Sequence, residues 1–311
     1  MIHVEQHGQV LAIRMSRSIF GRPFWWTTAY WVDGLLIDTG PRFAVRALLN
    51  ALENLSVDQI VITHAHEDQM GGLLALLQRY PKVTIYAAPR ALPILADPES
   101  MTLPLYRRIV WGRPEPCRVA VSLDKVDNQI RTPTYRFRTL ETPGHTADHI
   151  ALFEPGQRWL FSGDVYVHGQ QNAWAAEADL FGVVCSLRTL AELHPARLFP
   201  SDGRISRTPL PELHGKIGQL LQLTREVARL DALGLAKEEM VLRLFHKEPP
   251  LYFWTAGYYS AANLIDACRS YNALFTQFDV PAAPSSRGDP DEETGPSDSS
   301  NWPFDWEDLI R

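Results

Sequence analysis

The sequence predicts a mixed α/β protein in which two strand-and-helix halves are followed by an all-helical segment. Three observations lead there. Between residues 2 and 199, short apolar runs of β-type composition alternate with stretches of helical period. From Leu210 onward the pattern is helical. Ligand-type residues, His64, His66 and Asp68 foremost, stand in turns directly after strand-like runs. The composition agrees: 45% of the 311 residues are hydrophobic and 21% are charged, so a sizeable core can form. The length suggests about two domains.

Residues 2–15 and 28–37 read as short strands, with Asp33-Gly34 as a hairpin turn. The second arm ends in Asp38-Thr39-Gly40-Pro41, and Pro41 suits the first turn of a helix. Phe43, Val45, Leu48, Leu49 and Leu52 give that helix its period. A strand over 58–63 leads into the His64 stretch, then a helix over 71–80 and a strand over 83–87. The Pro-rich stretch 97–116 carries Tyr106, Arg107, Arg108, Trp111 and Arg113. It reads as a solvated connecting loop; the alternative is a lid whose arginines meet an anionic substrate. Strands over 135–139, 149–153, 158–162 and 197–199, with a helix over 179–193, make the second half. An amphipathic helix over 210–230 and helices over 237–246 and 256–278 follow. The expected division is residues 1–205, a helical segment 206–280 and an acidic tail 281–311.

That tail holds eight acids against two bases, the whole formal charge of −6, and the other 280 residues balance 28 against 28. A neutral body gives no global electrostatic reason to bind nucleic acid. Residues 281–300, rich in Pro, Ser, Gly and Asp, are expected to be disordered. Residues 301–310 alternate aromatics with acids, which reads either as a docking peptide or simply as a terminus. The first residues show no signal-peptide pattern, and no run approaches the ~20 apolar residues of a membrane span. Cys117, Cys185 and Cys268 lack C-x-x-C spacing, so reduced thiols and a cytoplasmic location are expected.

In extended chain, side chains two apart point the same way. A strand running into a turn at residues 59–68 therefore presents His64, His66 and Asp68 on one side, as a divalent metal requires. Four more ligand-type residues lie in strand-end turns: Asp38, His145 in Thr142-Pro-Gly-His145, Asp164 in Ser162-Gly-Asp164, and Asp202 in Pro200-Ser-Asp202-Gly203. Taken singly, a turn Asp is usually a cap and a turn His a loop residue. Their coincidence with the His64 stretch argues for a site.

With these motifs in this order, the sequence resembles the metallo-β-lactamase-fold hydrolase superfamily over residues 10–203. The motifs are Ile37-Asp38-Thr-Gly40, Thr63-His-Ala-His-Glu-Asp68 with Gly71-Gly72, Thr142-Pro-Gly-His145 and Ser162-Gly-Asp164. The resemblance implies a four-layer αββα sandwich with a metal site on one edge and a C-terminal helical extension. It implies that His64, His66 and His145 bind a first metal, that Asp164 bridges, that Asp68 binds a second metal, and that Asp38 anchors the ligand loop. The chain departs from the family twice, at Gln69 and at Asp202, where the pattern has histidines of the second metal position.

Three imidazoles with a carboxylate suit catalytic zinc, and Fe(II) is compatible with the same donors. Asp68, Asp164, Asp202 and the amide oxygen of Gln69 would make an all-oxygen second position, better suited to Mn²⁺ or Mg²⁺ and weak for a second zinc. The implied chemistry is hydrolysis of an ester, thioester, lactone or amide by a metal-bound hydroxide, with a small-molecule substrate. Asp68 can orient the water or take its proton. Tyr166, two beyond Asp164, faces the site if the segment stays extended, and otherwise is a packed aromatic. His149 and His168 read as structural neighbours, and His194 and His214 as weak substitutes for the missing late histidine. Thioester or lactone hydrolysis leads. RNA or phosphodiester hydrolysis, an iron-dependent persulfide-type oxygenase, and a degenerate binding protein are the alternatives.

Overall fold

The computed structural model describes residues 1–19 and 22–276. The acidic tail, with its expected disorder and its candidate docking segment, lies outside the described residues.

A seven-stranded sheet runs in chain order: β1 (Ile2–His7), β2 (Val10–Ile19), β3 (Arg22–Val32), β4 (Leu35–Ile37), β5 (Gln59–Ile62), β6 (Thr84–Ala87) and β7 (Val121–Ser122). The first four pair antiparallel; β4 through β7 pair parallel. The β3–β4 hairpin turns at Asp33 and Gly34, both at positive φ, as the Asp-Gly pair predicts. The second sheet comprises β8 (Gln129–Arg131), β9 (Arg136–Glu141), β10 (Ile150–Glu154), β11 (Trp159–Gly163) and β13 (Arg197–Pro200), antiparallel except where β13 joins β11. A two-stranded ribbon pairs β12 (Trp174–Ala175) with β14 (Tyr259–Ser260).

The inner faces of the two sheets share one core, which runs from Ile13, Met15 and Ile62 to Phe137, Phe161 and Phe199. Phe161 stacks on Phe199 at 4.7 Å, and Tyr30 from the opposite sheet meets both edge-on at 5.4 and 5.5 Å. The Tyr30 hydroxyl donates to the Pro200 carbonyl at 2.6 Å, fastening the end of β13 to β3. Burying each such ring is worth about 1.5–3 kcal/mol.

Helices α1 (Val45–Ala51), α2 (Glu67–Met70), α3 (Leu73–Arg79), α4 (Leu92–Ala96) and α5 (Leu105–Val110) belong to the first half. Helix α6 (Leu180–Glu192) starts at an Asp179 cap, whose carboxylate accepts from the Phe181 amide at 3.0 Å, and covers the second sheet. Helices α7 (Pro209–Ala232), α8 (Lys237–Phe245), α9 (Pro250–Trp254) and α10 (Ala261–Thr276) follow. Leu213, Leu220, Val227, Met240 and Leu264 share a second core with Val184 and Leu187 of α6 and with Leu160 and Leu198 of the sheet. The fold is thus the αββα sandwich with a helical extension.

Three stretches differ from the expectation. The loop at 97–116 contains α5 and a 3-10 turn. The helix expected over 71–80 runs as Leu73–Arg79, and a separate short helix, Glu67–Met70, precedes it within the His64 stretch, the two divided at Gly71-Gly72. The last helix starts only at Ala261, because Ala256 and Gly257 adopt positive φ and interrupt it.

Candidate metal centre

Strands β4, β5, β11 and β13 end at one edge of the sandwich, so the turns after them converge. Asp38, just past β4 in a left-handed conformation (φ 61°), accepts from the Thr63 amide at 2.8 Å and from the Thr63 hydroxyl at 2.9 Å. With that hydroxyl spent on Asp38, the contact between Thr63 Oγ1 and His64 Nδ1 at 3.0 Å assigns the proton to Nδ1. His64 Nε2 is left as the inward-facing atom. Ala65 donates its amide to Asp148 at 2.8 Å, a second anchor for the turn. The ligand helix α2 packs closely on the Asp38 loop: the Thr39 hydroxyl donates to the Gln69 carbonyl at 2.8 Å, and a Cβ on Gly72 would come within 2.6 Å of the Thr39 carbonyl.

Four atoms meet at one point: His64 Nε2, His66 Nδ1, His145 Nε2 and an oxygen of Asp164. His66 Nδ1 lies 3.0 Å from His64 Nε2 and 3.1 Å from His145 Nε2. Asp164 Oδ2 lies 3.3 Å from His64 Nε2 and 3.6 Å from His145 Nε2. A tetrahedron of donors about 2.1 Å from its centre has edges of about 3.4 Å. The four donors therefore fit one cation. Burial holds His66 well below its ordinary pKa and pushes His145 down to about 4, which keeps their lone pairs free. Burial works against a charged His64 as well, but Asp164 beside it lifts it to about 9. Burial would raise the Asp164 carboxyl, and the bond from His64 outweighs it, so Asp164 sits well below the usual carboxylate range. A cation arriving here displaces the proton that this pair shares.

His149 props Asp164 from behind. Its Nε2 accepts from the Asp164 amide at 3.0 Å, and its Nδ1 meets the Thr142 hydroxyl at 2.8 Å. This contact is why residue 163 is glycine: its φ is +53°, and a Cβ there would sit 2.5 Å from His149 Nε2.

Asp68 and Gln69 lie beside this group but not in it. The Gln69 amide nitrogen donates to Asp68 Oδ2 at 3.1 Å and to Asp164 Oδ2 at 3.3 Å. Its carbonyl oxygen faces the Thr27 hydroxyl at 3.4 Å. The expected ligating amide oxygen thus points away, and an N–H₂ group stands between the two carboxylates that would hold a second cation. Burial, then the Asp164 charge, raises Asp68 to about 8.

Asp202 and Tyr166 belong to a different cluster, contrary to their expected places. The Asp202 carboxylate accepts from the His168 ring at 3.1 Å, from the His168 amide at 3.3 Å and from the Arg204 amide at 2.9 Å. His168 Nε2 faces Glu212 at 3.3 Å, and the Tyr166 hydroxyl donates to Glu212 at 3.2 Å. The chain turns at Asp164 instead of staying extended, so Tyr166 does not share its face. His194 and His214 are exposed and outside the four-residue group.

Sequence reasoning missed one buried pair. Glu67, between two site residues and fully buried, is bridged by both Arg107 Nε and Arg107 Nη2, the latter at 2.7 Å. Arg107 also donates to the Tyr258 hydroxyl at 3.1 Å and lies 5.8 Å from the Trp111 ring. Of the three arginines expected to be solvated or to line a lid, this one ties α5 and the C-terminal segment to the ligand turn. A fully buried acid needs a cation, which is the signal that could have found it.

The site opens into a cavity of about 550 Å³. Trp25, Trp111 and Tyr259 line it beside His66, Asp68 and His145, and Arg14, Ser201, Arg204 and Lys216 line it beside Asp202. Burial pulls the Lys216 ammonium down to about 8, with Asp202 opposing, so it remains charged at neutral pH. Among the described residues no helix is long and apolar enough to cross a membrane.

A beta-lactamase-like protein 2 homolog from Drosophila melanogaster is 27% identical over 249 residues, 73% of this chain and 75% of that protein. A hydroxyacylglutathione hydrolase from Legionella pneumophila (strain Lens) is 28% identical over 148 residues, 47% of this chain; the match spans 49%, about half, of that relative. A solved metallo-beta-lactamase family protein from Thermus thermophilus superposes with a TM-score of 0.63 at 18% identity, over 86% of this chain and 94% of that one, a likeness of fold. The family model of the metallo-beta-lactamase superfamily matches residues 27–202. That match runs from β3 to the Asp202 turn and takes in the whole histidine cluster: the chain belongs to the metallo-beta-lactamase superfamily.

Proposed function

We propose that this chain is a thioester hydrolase that holds a single divalent cation, zinc or Fe(II), on His64, His66, His145 and Asp164. The convergence of three imidazole nitrogens and one carboxylate oxygen, at the mouth of a cavity of substrate size, carries the reading. The similarity to a hydroxyacylglutathione hydrolase supports a thioester over an amide. The cation, when bound, supplies Lewis acidity towards the scissile carbonyl and towards water. The protein's own groups do the rest. Asp68 lies on the cavity wall beside His66, with its carboxyl pushed up to about 8. In its ionised form, which a cation on the neighbouring cluster favours by opposing that upward push, the Asp68 carboxylate takes a proton from the attacking water and returns it to the leaving thiolate. Gln69 holds the Asp68 carboxylate in place through its Oδ2. Trp25, Trp111 and Tyr259 wall the acyl group from solvent.

The test is metal content of the purified protein, followed by a panel of thioester, lactone and phosphodiester substrates. The expected result is one zinc or iron per chain and thioester turnover that chelation abolishes. Turnover that survives chelation, or turnover of phosphodiesters alone, overturns the reading. Oxygen uptake by iron-loaded protein without hydrolysis moves it to the oxygenase class.

A further inference from the structure

The Asp202 wall of the cavity is lined by Arg14 from β2, Ser201 and Arg204 from the turn after β13, and Lys216 from α7. None of these belongs to the four-residue metal group. We propose that these four side chains form a subsite for an oxyanion, a carboxylate or a phosphate, carried on the part of the substrate that does not react.

The argument is an imbalance of donors over acceptors. The two carboxylates nearby are already satisfied. Asp202 takes the His168 ring, the His168 amide and the Arg204 amide. Glu212 takes Tyr166, His168, Ser206 and Thr208. The donors are in the opposite state. Ser201 is 4% exposed, and its hydroxyl is buried without a partner among the described residues, as is Arg14 Nε. Buried polar groups in native proteins are almost always paired, so an orphaned hydroxyl on a cavity wall points to a partner that arrives with the ligand. The Arg14 guanidinium is held 5.0 Å from the Trp26 ring, and its bond to the protein here is a long one, 3.4 Å to the Asp202 carbonyl. Lys216 is 7% exposed; the Gly169 carbonyl accepts one of the three N–H donors of its ammonium. Three cations, the buried Lys216, the half-buried Arg14 and the exposed Arg204, line this wall with the one carboxylate of Asp202, and that excess of positive charge favours an anion.

This inference rests on the hydrolase reading for its substrate, but its test does not need turnover. The purified, metal-loaded protein is titrated calorimetrically with 4-phenylbutyrate, 3-phenylpropylphosphonate and the neutral 4-phenylbutyramide. At least one anion is expected to bind on the order of tenfold tighter than the amide, as a charge-assisted contact warrants. Whichever anion binds tighter names the group. In Lys216→Met that preference is expected to fall to near one, and in Ser201→Ala to fall partway. The exposed Arg204→Met serves if Lys216→Met does not fold, with thermal melts as the folding check. Equal binding of amide and anions, or the same preference in wild type and variants, overturns the proposal. Failure of the thioester panel leaves this binding result standing and sinks only the reaction.

Discussion

Two clusters of histidine and carboxylate stand along one cavity, and they are built on opposite principles. In the first, His64, His66, His145 and Asp164 aim their free atoms at one point. In the second, His168 sends its two ring nitrogens to two different carboxylates, Asp202 and Glu212. Composition does not separate them; direction does. The first cluster crowds its donor atoms at one point, with the proton shared by His64 and Asp164 among them, and a cation takes that proton's place. The second satisfies itself and braces the turn after β13. Gln69 stands at the border, offering an amide N–H₂ where a further cation would need a lone pair.

The comparison breaks most violently if the first cluster is dispensable. His66→Ala removes one of the four converging donors, and the loss of several kcal/mol of Lewis-acid assistance lowers kcat/KM on the order of 10³-fold; steady-state kinetics on the best thioester checks it. Next comes the support of that cluster. Arg107→Met leaves Glu67 buried and unpaired, and urea unfolding is expected to show a loss of about 3–5 kcal/mol. Replacing both partners, Glu67→Leu with Arg107→Met, recovers most of it. His149→Ala frees the Asp164 amide and is expected to weaken metal affinity about 10–100-fold, read by competition with a chelator. Gln69→His exchanges the amide for a lone pair and is expected to admit a second cation at raised zinc concentration. The smallest effect belongs to the second cluster. Tyr166→Phe gives up one bond to Glu212, costs about 1 kcal/mol in unfolding, and leaves metal content unchanged.

The sequence made the first cluster legible because its signals are local. His64 and His66 follow a strand at spacing two, and His145 and Asp164 sit in short turns after strands. Both sheets and the helical extension were legible from apolar periodicity. The second cluster was not, because it depends on where the chain turns. Tyr166 shares the Asp164 face only if the segment stays extended, and it bends there. Asp202 looked like a ligand because its turn resembles one, and its partner His168 comes from a different loop, 34 residues away. The Glu67–Arg107 pair spans 40 residues and joins α2 to a stretch whose prolines suggested only a connection. The role of Gln69 hinged on which end of its amide faces Asp68, which no spacing encodes.

The central claim is one converging cluster and therefore one tight cation. Elemental analysis of the protein purified without added metal, and again after incubation with excess zinc and desalting, tests it directly. The account predicts one equivalent per chain in both samples, reduced to a small fraction in His66→Ala. Two equivalents retained by the wild type, or one equivalent retained by His66→Ala, would contradict it.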